Sequence, residues 1–415
     1  MCYSTGNPFM KSGGSRFQDQ DGFRAEPPCG GWNMCGEVFM AHMLDYLLWR
    51  GDVDFDASPF NAVDSLVLSQ LSYNHLHDLV PFEFSKKTRI PLRDVAALFF
   101  DSPEYERRSD LGALINSQTI DLLKAAGSSK RFGGLLLCGY VSKLDLENEE
   151  QFSAVTFVNN GLWTFVAYRG TDDTLVGWKE DCNLGFMDTV PAQEDAACYL
   201  EAVAKHVHGP LMVGGHSKGG NLALYAAVSA CEKTKKRLRA IYNHDGPGFS
   251  DSFFKSKSFL SLQERVHGFV PELSVVGMLF SHAERYITVE SNQKGLMQHD
   301  PFSWQVLPHG FVEKPQTNGQ SRFVYVTING WFNELSRNQK KLFVETVFAL
   351  VKKSGATTNS QLTTNWAENA LKILKAITEL DGQTREAVFK TVQLLVKHIY
   401  ENRGELSEKK SLRKH

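Results

Sequence analysis

A Gly-x-Ser-x-Gly motif is the feature of this 415-residue chain whose residue types and spacing point most directly to chemistry. Its serine is Ser217, between Gly215 and Gly219. An apolar run over 211–214 precedes it and a run of small residues typical of a helix follows, which is the strand–turn–helix context of a nucleophile elbow. A serine hydroxyl needs a base and a third group that orients the base. The motif therefore predicts that Ser217 is a nucleophile and that its acid and base follow it along the chain.

The base should be a histidine in a loop after a later strand. His299 meets this condition, because it follows the strand predicted over 286–290. His282 and His309 are the alternatives. We favour His299 as the base, although a loop histidine is often only a surface residue.

The acid is predicted from strand position. The strand predicted over 240–243 ends just before Asp245, and carboxyl ends of sheet strands are where ligands and catalytic groups gather. The other interpretation of Asp245 is a turn or helix-capping residue. Asp300 and Glu290 are the reserve acids.

An ester hydrolase also needs donors for an oxyanion. One donor is the amide of the residue after the nucleophile, here Lys218. The second is expected from a loop after an earlier strand, and Thr171 follows the strand predicted over 164–167 with Gly170 permitting close backbone approach.

Three residues near these positions are predicted to contact the substrate. They are Met278 and Leu279, in the apolar segment 275–280, and His216 beside the nucleophile. The loop 172–190 is a second segment that could line or cover an acyl pocket, although apolar segments are more often core than pocket.

Taken together, these residues make the chain resemble the class 3 lipases, the fungal-type triacylglycerol lipase group of α/β-hydrolases. One matching segment is Ala-Tyr-Arg-Gly-Thr at 167–171, followed by Trp178 and Asp181, and the other is the elbow at 214–223. The resemblance covers about residues 130 to 310. It implies an α/β-hydrolase fold with Ser217 as nucleophile and an oxyanion hole formed by Thr171 and Lys218.

The whole chain looks more closely like a family of uncharacterised bacterial lipase-like proteins whose substrate is undefined. The segments that carry this likeness are 44–52, 59–61, 274–279 and 298–300. It adds weight to His299 as the base. The lipase signature Asp-x-Val-Pro for the acid is missing, with 268–272 the nearest stretch, so Asp245 rests on strand position.

The elements that must position these residues alternate between strand and helix. Strands are predicted over 134–141, 154–158, 164–167, 211–214, 240–243, 286–290 and 304–307, and helices over 37–49, 63–76, 92–100, 115–125, 192–206 and 219–231. This alternation predicts an α/β protein with a mostly parallel sheet covered by helices on both faces. The predicted parts are a flexible leader (1–36), an N-terminal helical part (37–130), the α/β-hydrolase core (131–330), a C-terminal helical part (331–400) broken at Gly355 and at 381–382, and a basic tail (401–415).

Composition excludes several classes of function. The chain has 45 Lys and Arg against 47 Asp and Glu, which argues against a dedicated nucleic-acid binder. No run approaches the ~18 apolar residues of a membrane span, and residues 1–20 lack a secretory apolar region. Seven scattered cysteines favour a reducing cytoplasm over a disulfide framework. No metal-ligand spacing occurs, so no metal or cofactor is expected.

The predicted function is a serine hydrolase that cleaves carboxylic esters, with neutral acyl esters or lipids favoured as substrates. An acyltransferase or thioesterase would use the same residues, and a hydrolase-like binding module with the helical C-terminus as its partner surface is the non-catalytic alternative. The amphipathic stretches 41–49 and 342–350 leave a peripheral membrane contact open, although a core face fits them better because Lys and Arg are not concentrated on one side. The sequence does not indicate an oligomeric state.

Overall fold

The computed structural model describes residues 41–277, 279–280, 286–315, 319–358, 361 and 366–405. These residues belong to one compact unit, Met40–His415. The predicted leader (1–36) and residues 406–415 of the predicted tail lie outside the described residues. The division at 130, 330 and 400 stays a prediction.

Eight strands of the described chain form one sheet, and they lie in the sheet in the order in which they occur along the chain. They are β1 (Ile90–Pro91), β2 (Leu136–Asp145), β3 (Glu150–Asn159), β4 (Trp163–Tyr168), β5 (Leu211–His216), β6 (Leu238–His244), β7 (Val266–Pro271) and β8 (Tyr286–Val289). β1 to β4 pair antiparallel, and β4 to β8 pair parallel. The turn between β3 and β4 uses Gly161 at a positive φ of 82°, as an Asn-Asn-Gly hairpin predicts.

The helices of the described chain lie on both faces of this sheet. They are α1 (Met43–Arg50), α2 (Ala62–Leu71), α3 (Leu92–Phe100), α4 (Tyr105–Ser109), α5 (Gln118–Ser128), α6 (Leu175–Asn183), α7 (Pro191–His206), α8 (Lys218–Ser229), α9 (Glu232–Lys235), α10 (Asp251–Phe254), α11 (Lys257–Leu262), α12 (Gly319–Glu334), α13 (Arg337–Lys353), α14 (Trp366–Glu379) and α15 (Gly382–Asn402). Along β4, Phe165 and Ala167 belong to the core under α1, α2, α3 and α5, whereas Val166 and Tyr168 belong to the core under α7 and α8. This alternation is the period of two that a strand buried on both faces requires.

The parallel register brings three strand ends to one edge of the sheet. Tyr168 at the end of β4 lies beside Gly215, and His216 at the end of β5 lies beside His244 at the end of β6. The residues that follow these ends therefore meet at this edge. The predicted α/β-hydrolase fold is confirmed: the central sheet is largely parallel, and helices cover both its faces.

The C-terminal helices pack on one another and on the sheet unit. α12 packs against α15, with the Trp331 indole donating to the Thr391 carbonyl at 2.9 Å. The Leu175 amide at the start of α6 donates to the Thr357 carbonyl at 3.0 Å. The predicted breaks are confirmed, because α13 ends at Lys353 before Gly355, and Asp381 caps α15 through the Thr384 amide. The C-terminal helical region begins earlier than the predicted residue 331, because α12 starts at Gly319.

Several elements were not predicted from the sequence, among them β7, α6 and the short helices α4, α9, α10 and α11, and one strand lies elsewhere than expected. β7 contains His267, Gly268 and a terminal Pro271, which weaken the strand pattern, and α6 contains Gly177 and polar residues. The strand predicted over 304–307 is reduced to Val306–Leu307, which pairs with Gly310–Phe311 in a separate two-stranded sheet. No described helix has the length and apolar character to cross a membrane. In the described part of the chain, no group of three His, Cys, Asp or Glu residues is arranged to hold a metal ion.

Candidate active site

Ser217 occupies a sharp turn between β5 and α8. Its backbone has φ 58° and ψ −134°, a region that non-glycine residues rarely adopt. Such a conformation costs about 1–3 kcal/mol and persists only where the surroundings enforce it. Here the Ser217 amide donates to the His244 carbonyl at 2.9 Å, and the Ser217 carbonyl accepts from the Gly220 amide at 2.9 Å. The turn places the side chain at the N-terminus of α8, where the helix dipole favours negative charge.

The glycines of the motif are required by packing. A Cβ atom at position 215 would lie 2.2 Å from the Gly219 carbonyl carbon, and one at position 219 would lie 2.1 Å from the Tyr168 carbonyl oxygen. Any side chain at either position would separate β4 from the elbow. The same argument applies to Gly170, whose Cβ would lie 2.6 Å from the His216 carbonyl oxygen and 3.2 Å from the Ser217 Cβ. The loop after β4 therefore passes directly against Ser217.

His299 and Asp245 form a hydrogen-bonded pair at this edge. The His299 Nδ1 lies 2.6 Å from the Asp245 Oδ2. The Asp245 side chain is fully buried, whereas 28% of the His299 side chain is exposed. Asp245 also has a positive φ of 54°, and its amide donates to the Phe269 carbonyl at 2.8 Å. A histidine whose Nδ1 donates to a buried carboxylate keeps its Nε2 free to accept a proton.

A second hydrogen bond fixes the free carboxylate oxygen of Asp245. The Ser274 hydroxyl donates to Oδ1 of Asp245, and Ser274 is itself buried. Gly277 packs on the same atom, because a Cβ there would lie 2.2 Å from Oδ1. Both residues lie in the segment 274–279 that carries the family likeness, and Gly277 lies also in the apolar segment 275–280, but their contact with the acid was not predicted.

His216 lies beneath His299. The two rings have their centroids 4.6 Å apart, and the His216 Nε2 lies 2.8 Å from the His299 carbonyl oxygen. Because a carbonyl only accepts, Nε2 must carry the proton, and burial together with the nearby His299 charge holds the pKa of His216 well below its usual range. With only 5% of its surface exposed, His216 is placed to hold the His299 backbone. Its predicted contact with substrate stays a prediction.

Thr171 lies beside the elbow, and its hydroxyl is hydrogen-bonded to another side chain. That hydroxyl donates to the Asp181 Oδ2 at 2.5 Å. Burial raises the pKa of Asp181 to about 6, and the Lys218 ammonium and the Thr171 hydroxyl oppose this shift. The group that Thr171 has left to offer an oxyanion is its amide. The Lys218 amide, at the first position of α8, is one of the helix-terminal amides that no intrahelical carbonyl can satisfy.

The side chain of Lys218 forms a buried ion pair away from the elbow. Its Nζ donates at 2.8 Å each to the Gln151 carbonyl, the Gln151 Oε1 and the Glu180 Oε2. Both charged side chains are fully buried. Glu180 also accepts from the amides of Gln151 at 3.1 Å and Ala192 at 3.0 Å. These contacts join the elbow to β3, α6 and the start of α7, and no short motif in the sequence indicates them.

The alternative acids and bases have other partners. Glu290 pairs with Lys314 at 2.9 Å. Asp300 accepts from the Asn116 side chain at 2.7 Å and from the Phe302 amide at 3.0 Å. His309 is exposed in the turn between the two strands of the small sheet. His282 lies outside the described residues.

Of the residues predicted to contact the substrate, Leu279 is described and half-buried, and Met278 lies outside the described residues. The Leu279 carbonyl accepts from the Gly248 amide at 2.9 Å, so its segment lies along the loop that follows Asp245. Within the described residues the Ser217 hydroxyl makes no hydrogen bond. Catalytic hydrogen bonds often form only when substrate is bound.

A family model described as Mbeg1-like matches residues 126–349. Among solved structures, the chain is similar to one titled "Crystal structure of M37 lipase", with 14% sequence identity and a TM-score of 0.32, over 52% of this chain and 68% of that one. No curated protein matches the chain significantly.

Proposed function

The chain belongs to the Mbeg1-like family, and from that premise we propose that it is a serine hydrolase that cleaves carboxylic esters through an acyl-enzyme. The observation that carries the proposal is Ser217 at a strained positive φ between β5 and α8, at the sheet edge that also holds the 2.6 Å His299–Asp245 pair. A strained serine costs stability, and a structural turn at this position would be satisfied by glycine at no such cost.

In the proposed acylation step, the Nε2 of His299 takes the Ser217 hydroxyl proton as Oγ attacks the ester carbonyl carbon. Asp245 accepts from Nδ1 and stabilises the imidazolium that forms. The tetrahedral oxyanion is held by the amides of Thr171 and Lys218, at the positive end of the α8 dipole. His299 then gives its proton to the leaving alcohol, and the acyl group stays on Ser217.

In the second half of the reaction, deacylation, a water molecule occupies the place that the alcohol has left. His299 removes a proton from the water, the hydroxide attacks the acyl carbonyl, and the carboxylic acid leaves as Ser217 regains its proton. The buried Asp245 carboxylate has a hydrogen-bond donor on each oxygen, Ser274 and His299, and these two donors hold it in position in both halves.

We propose neutral acyl esters or lipids as the substrate class, with Leu279, Met278 and His216 near the acyl group. The formal net charge of −2, from 45 basic and 47 acidic residues, offers no cationic field for polyanions and is compatible with a neutral ester. Support for this substrate class comes from the apolar character of residues 275–280.

The direct test is hydrolysis of p-nitrophenyl esters of increasing acyl length by the wild-type protein and by Ser217→Ala. We expect turnover by the wild type and a loss of at least about a thousandfold in Ser217→Ala, since removal of a triad member leaves only oxyanion and binding effects. Circular dichroism shows whether the variant is folded. Folded wild-type protein that hydrolyses none of the esters would contradict the proposal and favour a binding module. If an added alcohol receives the acyl group, so that a new ester forms in place of the free acid, the protein is an acyltransferase instead.

A further inference from the structure

A cavity of about 800 Å³ lies between α8 and the C-terminal helices. It is bounded by Asn221 and Tyr225 on α8, by residues 248–253, which end within α10, by residues 184–188 after α6, and by residues of α12 and α13. Asn221 lies one helical turn after Ser217, and neither Ser217, Thr171 nor His299 is among the cavity's described lining residues. Its volume falls within the roughly 300–1,000 Å³ of small-molecule sites.

Aromatic side chains form part of the walls of this cavity, and polar side chains form the rest together with a few small or aliphatic residues. Phe249 and Phe253 stack with their ring centroids 3.9 Å apart, and Tyr225 stacks on Phe253 at 6.4 Å. Phe280 and Phe332, which also line the cavity, have their ring centroids 5.6 Å apart. Rings presented in this way offer apolar faces to a hydrocarbon chain, and an occupant would bury them from water.

Lys340 on α13 places a cation at one wall. Its Nζ lies 4.3 Å from the centroid of the Phe332 ring, and burial lowers the pKa of this half-buried lysine. Among the residues that the structure describes, no carboxylate forms an ion pair with it. The adjacent Lys341 points outward and pairs with Glu345 at 3.7 Å. A charge partly removed from water without a counter-ion is costly, and contact with a ring face offsets only part of that cost.

The other charges of the cavity lie in water. Arg337 and Asp188 pair at 3.3 Å with side chains 63% and 91% exposed, and Asp251 is exposed at the start of α10. Solvent screens these charges strongly, and a partly buried charge is screened much less. The electrostatic preference of the cavity is therefore set by Lys340 and favours an anion beside the aromatic walls.

We propose that this cavity binds a single-chain amphiphile with an anionic head group, the head pairing with Lys340 and the hydrocarbon chain lying along Phe249, Phe253 and Phe332. Carboxylates of this kind are the class of product that hydrolysis of acyl esters releases. The binding does not require the chemistry of Ser217, so the site can be tested apart from the proposed hydrolase activity.

The test is isothermal titration calorimetry of the full chain with dodecanoate, dodecyl phosphate and dodecyltrimethylammonium, each below its critical micelle concentration. We expect one molecule of an anionic amphiphile to bind per chain and the cation to bind at least about tenfold more weakly, a difference typical of one charge-assisted contact. Whichever of dodecanoate and dodecyl phosphate binds with the higher affinity identifies the head group. Ser217→Ala should bind with wild-type affinity, which separates this result from failure of the proposed function.

Two substitutions locate the site, and one is a matched control. Lys340→Met keeps the apolar stem of the side chain and should lower affinity about tenfold, whereas Lys341→Met should not change it. Ser252→Trp, at an exposed position of the cavity wall, should block the chain without disturbing the core. Thermal unfolding verifies that each variant is folded. No binding by the wild type, equal binding of the cationic amphiphile, or wild-type affinity in both Lys340→Met and Ser252→Trp would overturn the proposal.

Discussion

Asp245 shows how individual residues at the candidate site are held. Its carboxylate is fully buried, with one oxygen on His299 and the other on Ser274, and its backbone sits at a φ of 54°. Each oxygen of the buried carboxylate therefore has a hydrogen-bond donor, as buried polar groups require. The residue is thus specified by position and partners, and its functional importance can be tested by replacing one oxygen.

Asp245→Asn is expected to lower kcat by about 10³–10⁴-fold with little change in KM, because an amide favours the wrong tautomer of His299. The measurement is the hydrolysis of a p-nitrophenyl ester under saturating and limiting substrate. Glu290→Gln is the matched control, since Glu290 was the reserve acid and pairs with Lys314 instead. A large loss in Glu290→Gln with none in Asp245→Asn would show that the acid was wrongly assigned.

Asp181 gives a prediction about pH. Burial raises its pKa to about 6 from the ordinary 3.8, so between these values the folded protein binds more protons than the unfolded chain, and stability falls as pH rises through this window. Asp181→Asn removes the ionisable group, and with it this dependence of stability on pH, while its amide oxygen can still accept from the Thr171 hydroxyl. We expect the variant to be more stable than the wild type at pH 8 by about 1–3 kcal/mol, with the gap closing toward pH 4.

The measurement is urea unfolding of both proteins across this pH range. A gap between Asp181→Asn and wild type that is constant with pH, or that widens toward acid, would contradict the raised pKa of Asp181.

At the scale of elements, the site depends on three neighbouring strand ends and on the helix that follows one of them. Parallel pairing of β4, β5 and β6 puts Thr171, Ser217 and Asp245 after adjacent strands. The Lys218–Glu180 pair then ties the first turn of α8 to α6, the helix that follows Thr171. The buried ion pair thereby joins the helix that begins with one proposed oxyanion donor, Lys218, to the helix that follows the other, Thr171.

Lys218→Met should destabilise the fold by about 3–5 kcal/mol, because Glu180 would be left charged and buried without its partner. The double variant Lys218→Met/Glu180→Gln should recover most of this loss. The comparison variant is Lys314→Met, whose partly exposed pair should cost under about 1 kcal/mol. Urea unfolding gives the four free energies. A Lys218→Met cost no greater than that of Lys314→Met would contradict the account of this pair.

Much of the site could be predicted from sequence because its signals are local. The elbow needs glycines two residues either side of Ser217, and Asp245 follows a strand by one residue. The Lys218–Glu180 and His216–His299 contacts join residues 38 and 83 positions apart. Which distant side chains meet is decided by strand order, and a short motif does not encode that order. β7 escaped detection for a local reason, since its histidine, glycine and proline weaken the strand signal.

At the scale of the whole molecule, the C-terminal helices contact both flanks of the site. Thr357, between α13 and α14, accepts from the Leu175 amide after the Thr171 loop, and Asn329 of α12 accepts at 2.8 Å from the Phe280 amide in the segment after β7. The packing of α12 against α15 centres on the buried Trp331. The helical part therefore braces the sheet unit and forms one wall of the cavity.

Trp331→Ala should cost about 3–5 kcal/mol, the usual range for emptying a buried tryptophan site. Trp49→Ala is the matched control, since Trp49 is 41% exposed, and it should cost much less. Urea unfolding followed by far-UV circular dichroism gives both values. Equal costs would mean that Trp331 does not anchor the C-terminal helices.

The measurement that tests the central claim most directly is covalent labelling by a fluorophosphonate, which reacts with serines activated as nucleophiles. Intact mass spectrometry of the wild-type protein should show one adduct, and peptide mapping should assign it to Ser217. The Ser217→Ala variant should not be labelled, and Asp245→Asn should be labelled far more slowly than the wild type. A folded wild-type protein that remains unlabelled, or that is labelled equally in Ser217→Ala, would contradict the account.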